Sequence, residues 1–149
     1  MDAINLLLVD DEERFLTTHK KLLDRRGINT STCTNGHDAL RILAERRIDV
    51  VVLDIKMPGI DGFEVLRKMR QNHPDVEVIL LTGHVSVDSE AEGLKLGVTA
   101  YLTKPISIDV LQSSVEHAYD KRRARQRRIQ ETAQTVEQRP TGSDKTEER

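Results

Sequence analysis

Asp54 closes an apolar run, Ile48-Asp49-Val50-Val51-Val52-Leu53, and stands directly before the turn-rich stretch Lys56-Met57-Pro58-Gly59-Ile60-Asp61-Gly62. A run of this kind reads as a buried strand, so the carboxylate sits at the strand's carboxyl end. In an open parallel sheet ligands bind outside the carboxyl ends of the strands, and an acid there points to chemistry. A second run, Ile4-Asn5-Leu6-Leu7-Leu8-Val9, ends in Asp10-Asp11, two adjacent carboxylates that repel unless a cation joins them. Val76 to Leu81 runs into Thr82-Gly83, and Val98 to Thr103 runs into Lys104-Pro105. Four strand tips thus offer three carboxylates, one hydroxyl and one ammonium. That set suits a phosphoryl group: carboxylates hold Mg²⁺, one of them attacks phosphorus, and the hydroxyl and ammonium bind the phosphoryl oxygens.

The elements that must position these groups alternate along the chain. After the first strand, Glu12 to Arg26 carries Phe15, Leu16, Leu22 and Leu23 on a helical face and ends at Gly27, a left-handed cap. A second strand over Ile28 to Thr34 is followed by Asn35-Gly36, which opens a helix with Ala39, Leu40 and Leu43 on one face. Past Asp54, a helix from Gly62 to Asn72 buries Val65, Leu66 and Met69, and His73-Pro74 stops it. Ser86 is the N-cap of the next helix, which runs to Leu96 and ends at Gly97; the last helix begins near Ser107. Five β-α units in this order, joined by right-handed crossovers, predict an α/β fold with a doubly wound, flavodoxin-like sheet of five parallel strands in the order 2-1-3-4-5. Strands one and three are then neighbours, which brings Asp10 and Asp11 to Asp54.

Asp10-Asp11, Asp54, Thr82, Tyr101 and Lys104-Pro105 stand in the order and sheet positions of a two-component response-regulator receiver domain, and residues 1 to about 120 resemble that family. The resemblance implies that Asp54 accepts a phosphoryl group from a sensor histidine kinase or phosphotransfer protein. It further implies that Asp11 and Asp54 ligate Mg²⁺ directly, that Asp10 acts largely through water, and that the backbone carbonyl of Lys56 is a further ligand. Thr82 and Lys104 would bind phosphoryl oxygens, and Tyr101 would turn inward when Thr82 moves. A cis peptide bond before Pro105 would aim Lys104. Output is expected through a changed surface made by the fourth helix, fifth strand and fifth helix, including a homodimer face.

Composition agrees with a single domain and a tail. The chain has 149 residues, 3% aromatic residues and no Trp, so the core must be aliphatic. Neither a membrane-length apolar run nor the basic start of a signal peptide is present, and a cytoplasmic location is expected. Cys33 is the single cysteine and reads as a small buried strand residue. Residues 1–120 carry 14 Lys+Arg against 20 Asp+Glu, whereas residues 121–149 carry 9 against 5. The basic run Lys121-Arg122-Arg123-Ala124-Arg125-Gln126-Arg127-Arg128 lacks an apolar stripe and reads as a solvated helix end, and disorder is expected from Thr132 to Arg149. Contact with nucleic acid is not expected of this chain.

Two other classes of function compete. Haloacid dehalogenase enzymes, which turn over substrates through an aspartyl-phosphate, place a second Asp two residues after the nucleophile; here that position is Lys56, which cannot serve as the general acid in the same way. A receiver-like interaction module without phosphorylation would lack some of the acids or the Lys, and this chain has them all. The stretches Leu81 to Asp88 and Tyr101 to Pro105 look like the receivers of nitrogen-regulation-type activators, whose ATPase and DNA-binding domains have no motif here. The chain is either a stand-alone receiver or a piece of a longer protein.

Overall fold

The structure, a computed structural model, describes residues 2–137. Ten elements alternate: β1 (Asn5–Val9), α1 (Glu13–Arg25), β2 (Asn29–Cys33), α2 (Gly36–Glu45), β3 (Val50–Leu53), α3 (Gly62–Asn72), β4 (Glu77–Thr82), α4 (Val87–Lys95), β5 (Ala100–Thr103) and α5 (Ile108–Glu137). The strands form one parallel sheet in the order β2-β1-β3-β4-β5, as the crossover rules predict.

Why the strands read as unbroken apolar runs is plain from the two faces. Leu7, Val9, Val51, Leu53, Val78 and Leu80 point to one side, where Ala39 and Leu43 of α2 and Val65, Leu66 and Met69 of α3 cover them. The alternate residues Leu6, Leu8, Val50, Val52, Ile79 and Leu81 point to the other, under Leu16 and Leu23 of α1 and Leu111, Val115 and Ala118 of α5. With period-two alternation and helices on both sides, every position must be apolar. Cys33 belongs to the first face and is buried.

The helix boundaries follow local chemistry. Asn35, Asp61 and Ser86 each accept a backbone N–H from three residues ahead, which satisfies an otherwise orphan donor at the start of α2, α3 and α4. Gly27 and Gly97 adopt positive φ just past α1 and α4, where a side chain would be strained. Thr82 is the last residue of β4, paired with Thr103, and not the start of the following loop.

The carboxyl-terminal helix departs from expectation twice. It continues to Glu137, six residues into the segment read as disordered, because Glu131 to Glu137 holds helix formers and the chain meets no helix breaker before Pro140. The remainder of that segment, 138–149, lies outside the described residues. Nor is the basic run simply solvated: Arg122 is only 7% exposed. Its Nε lies 3.3 Å from Asp49 Oδ1, and one terminal nitrogen donates to Asp75 O at 2.8 Å. One turn on, Arg125 pairs with the buried Glu77. These acids stand where β3 and β4 begin, so α5 is tied to the amino end of the sheet by charge after its apolar stripe has ended.

Candidate functional site

The strand register places the acids. The Asp54 N–H donates to Val9 O at 3.0 Å and the Asp10 N–H to Cys33 O at 3.2 Å, so both residues extend the ladder at its carboxyl edge. Asp10 and Asp54 are almost wholly buried, and Asp11 is exposed on the rim. One carboxylate oxygen from each of the three lies within 4.8 Å of the others. Crowding of this kind is tolerable only with positive charge nearby.

Lys104 supplies part of it. Its Nζ reaches 2.6 Å from Asp10 Oδ2, 2.7 Å from Glu12 Oε1 and 3.7 Å from Asp54 Oδ2. It also lies 4.5 Å from the centre of the Phe15 ring, within cation–π range. The peptide bond between Lys104 and Pro105 is cis. Burial alone would pull the Lys104 ammonium down, but its bonds to Asp10 and Glu12 outweigh that and hold it above its ordinary value. Burial pushes the Asp10 carboxyl up, more than Lys104 pulls it down. Three carboxylates whose oxygens lie within 4.8 Å of one another are hard donors that fit a small divalent cation such as Mg²⁺.

These groups open into a hollow of about 670 Å³ lined in part by Asp11, Asp54, Lys56, His84 and Lys104. Asp54 Oδ1 accepts the Lys56 N–H at 3.3 Å, which orients the carboxylate. A close approach supports it from behind: a Cβ on Gly62 would meet the Asp54 carbonyl and come to 2.8 Å from Ile55 Cα, so only glycine lets α3 start against the Asp54 loop. Two expected groups stand apart from this hollow. Thr82 is fully buried, and its hydroxyl accepts the His84 N–H at 3.0 Å. Tyr101, half-buried on β5, has a buried hydroxyl with no hydrogen-bond partner among the described residues.

Glu12 and Phe15 are the partners that sequence reasoning missed, having assigned both to a helix. The signal available was the unbroken acidic run Asp10-Asp11-Glu12-Glu13, which the first turn of α1 folds back toward Lys104. Gly62 ends the turn-rich stretch and opens the third helix in the sequence, and nothing in its surroundings there announces the contact with Asp54.

A five-stranded parallel sheet in this order, with an acidic cluster and a lysine converging at its carboxyl edge, defines a doubly wound α/β fold whose site lies outside the strand ends. The chain belongs to the response regulator receiver domain family of two-component systems, whose pattern matches residues 6–116. It is 35% identical over 117 residues to the transcriptional regulatory protein ZraR of Escherichia coli O157:H7, covering 78% of this chain and 26% of that protein. It is 36% identical over 119 residues to the regulatory protein AtoC of Escherichia coli K12, covering 79% of this chain and 26% of the relative. The chain therefore spans about a quarter of the length of these curated relatives. Among solved structures, a response regulator receiver domain protein from Clostridium thermocellum superposes with a TM-score of 0.77 at 33% identity, over 81% of this chain and 98% of that one.

Proposed function

We propose that Asp54 is the phosphoacceptor, receiving a phosphoryl group from a sensor histidine kinase or phosphotransfer protein in a Mg²⁺-dependent step. The observation that carries this reading is the convergence of the Asp10, Asp11 and Asp54 carboxylates with Lys104 Nζ at the floor and rim of an open hollow that Asp11, Asp54 and Lys104 line. An Asp54 carboxylate oxygen bonds to phosphorus while the bond from phosphorus to the donor nitrogen breaks, and the donor imidazole leaves. Asp11, Asp54 and the Lys56 carbonyl would hold the cation directly, with Asp10 acting through water. When bound, a hard divalent cation screens the carboxylates and neutralises charge growing on the phosphoryl oxygens. Lys104, whose Nζ lies 3.7 Å from Asp54 Oδ2, would meet the same developing charge. The chemistry serves the protein itself, through self-catalysed phosphorylation and dephosphorylation of Asp54.

Switching falls to Thr82 and Tyr101. In this arrangement the Thr82 hydroxyl oxygen is engaged by its own turn at His84, and the Tyr101 hydroxyl has no hydrogen-bond partner among the described residues. A phosphoryl group on Asp54 that draws Thr82 toward it alters the space beside β5, and the Tyr101 phenol, whose buried hydroxyl has no partner among the described residues, gains a hydrogen bond by moving. The surface that changes is α4, β5 and α5. On α4 only Gly93 is buried, while Val87 and Leu94 are 82% and 68% exposed, a mostly uncovered apolar face suited to a protein partner or a second copy. No described helix is long and apolar enough to cross a membrane.

Incubation with acetyl phosphate and Mg²⁺, followed by mass mapping, tests the acceptor. A single adduct at Asp54, absent in Asp54→Asn and in EDTA, is expected; labelling of Asp54→Asn at another residue at equal rate overturns the assignment. Thr82→Ala should still label, but beryllofluoride should shift fewer amides of α4 and β5 than in the unmodified chain.

A further inference from the structure

The end of the sheet opposite Asp54 has a charge arrangement of its own. Arg70, near the end of α3, is half-buried and spreads its guanidinium over backbone carbonyls. Nε donates to Leu96 O at 2.9 Å, and the terminal nitrogens donate to Val76 O at 3.1 Å, Gly97 O at 3.3 Å and Pro74 O at 3.4 Å. These neutral acceptors hold the group still and close the carboxyl end of α4. They do not cancel its charge, and one of its five N–H groups is left over. Arg125 faces the same hollow and pairs with Glu77, whose carboxylate also accepts the Thr99 hydroxyl. Lys95 and Lys121 are exposed at its edge. Among the described residues no carboxylate stands within ion-pair distance of Arg70, Lys95 or Lys121.

Four cations thus line a hollow of about 620 Å³ that contains one carboxylate, Glu77, which is 3% exposed and already engaged by Arg125 and Thr99. Burial and then the nearby Arg125 charge push the Arg70 guanidinium below its ordinary value, the mark of a cation short of counter-charge. A concave, low-dielectric wall focuses such a field on whatever enters it.

We infer that this hollow binds a small polyphosphate anion, a diphosphate or triphosphate group. Its cations come from three separate elements, α3, the end of α4, and α5, and a chain of two or three phosphates offers oxygens to more of them at once than a single phosphate does. Held guanidiniums give direction and mobile ammoniums add charge, the division of labour that suits phosphate oxygens. Volume is adequate for such a ligand. The cations converge on a depression instead of following a stripe along α5, which favours a small anion over a nucleic-acid backbone. An anion there would tie the carboxyl end of α4 to α5, the two helices that flank β5.

Titration calorimetry of the full chain with sodium tripolyphosphate, adenosine diphosphate and a short DNA duplex decides it. EDTA is kept in the buffer, so that the Asp54 hollow remains acidic and repels anions. One tripolyphosphate per chain is expected, with amide shifts at Leu96 and Gly97, affinity that falls with salt, and binding weakened by about tenfold or more in the Lys95→Ala, Lys121→Ala double variant. Both lysines are exposed, so a native thermal midpoint is expected for that variant. Tighter binding of adenosine diphosphate than of tripolyphosphate assigns the site to a nucleotide, and equal or weaker binding assigns it to the phosphate chain alone. Absence of heat and of amide shifts at millimolar tripolyphosphate overturns the inference. So does undiminished binding in the double variant, or a duplex that binds more tightly than tripolyphosphate with a steep salt dependence.

Discussion

Lys104 Nζ lies 2.6 Å from Asp10 Oδ2, although the strands they directly follow, β5 and β1, are separated in the sheet by β4 and β3. The ammonium thus occupies the acidic cluster's own electrostatic sink. Replacing Lys104 with Ala removes the cation that competes with a divalent ion for the same carboxylates. Mg²⁺ should bind Lys104→Ala more tightly, by about fivefold or more, while the variant reacts more slowly with acetyl phosphate. Fluorescence-free titration by calorimetry, beside a labelling time course, checks both. If Mg²⁺ binds the variant no more tightly, Lys104 is not part of the charge balance at the cation site.

Gly62 links the fold to the acceptor. A methyl group there would collide with the Asp54 carbonyl and stand 2.8 Å from Ile55 Cα, both backbone and unable to swing aside. Gly62→Ala should destabilise the chain by about 1–3 kcal/mol, the usual cost of overpacking, and should lower the rate of Asp54 labelling in the fraction that remains folded. Urea denaturation gives the first quantity. A neutral result would mean that α3 can shift without disturbing the Asp54 loop.

The Arg122 anchor makes a separate claim on stability. Asp49 is 1% exposed and has the Arg122 Nε at 3.3 Å, with the Asn5 N–H and the more distant Arg47 as its remaining support. Arg122→Ala should cost about 3 kcal/mol, the low end for breaking a buried pair, because that remaining support persists. Arg122→Ala paired with Asp49→Asn should recover part of the loss. A chain ended after Asp120 should be less stable than the full chain by a similar or larger amount, since Arg125 and its pairing with Glu77 go too. Equal denaturation midpoints for the truncated and full chains would show that the basic turns contribute nothing to the fold.

Cys33 should be inert in the native state. Burial pushes its thiol up to about 11, so at pH 8 the thiolate is rarer by a factor of about 100 than in a free cysteine of ordinary acidity. Reaction with a disulfide reagent should be slow in buffer and fast in denaturant. Rapid native labelling would place Cys33 outside the core of the first sheet face.

The sequence alone determined the order of elements, the caps and the strand tips. Val50 to Leu53 and Leu6 to Val9 can be buried on both faces only in a covered parallel sheet, and β-α connections of one hand then leave few orders besides the observed one. Asp10, Asp11 and Asp54 were legible for the same reason: an acid that ends an apolar run must lie where the run leaves the core. Local hydrogen-bonding chemistry made Asn35 and Ser86 readable as helix starts, whereas the Asp61 cap emerged only from the structure.

Tertiary structure decided whatever depended on long side chains and distant backbones. Arg122 looks solvated in a run of six basic residues, and only the placement of Asp49, Asp75 and Glu77 at the starts of β3 and β4 gives it and Arg125 partners across more than 45 residues of chain. Glu12 became a partner of Lys104 because α1 turns its first residues over the carboxyl edge of the sheet. Gly62 matters through the Asp54 carbonyl, and Thr82 is held by His84 before any phosphoryl group arrives. Hydrophobic periodicity records which face of an element is covered; it carries no term for which charge meets which, because that depends on distances set only when the elements pack.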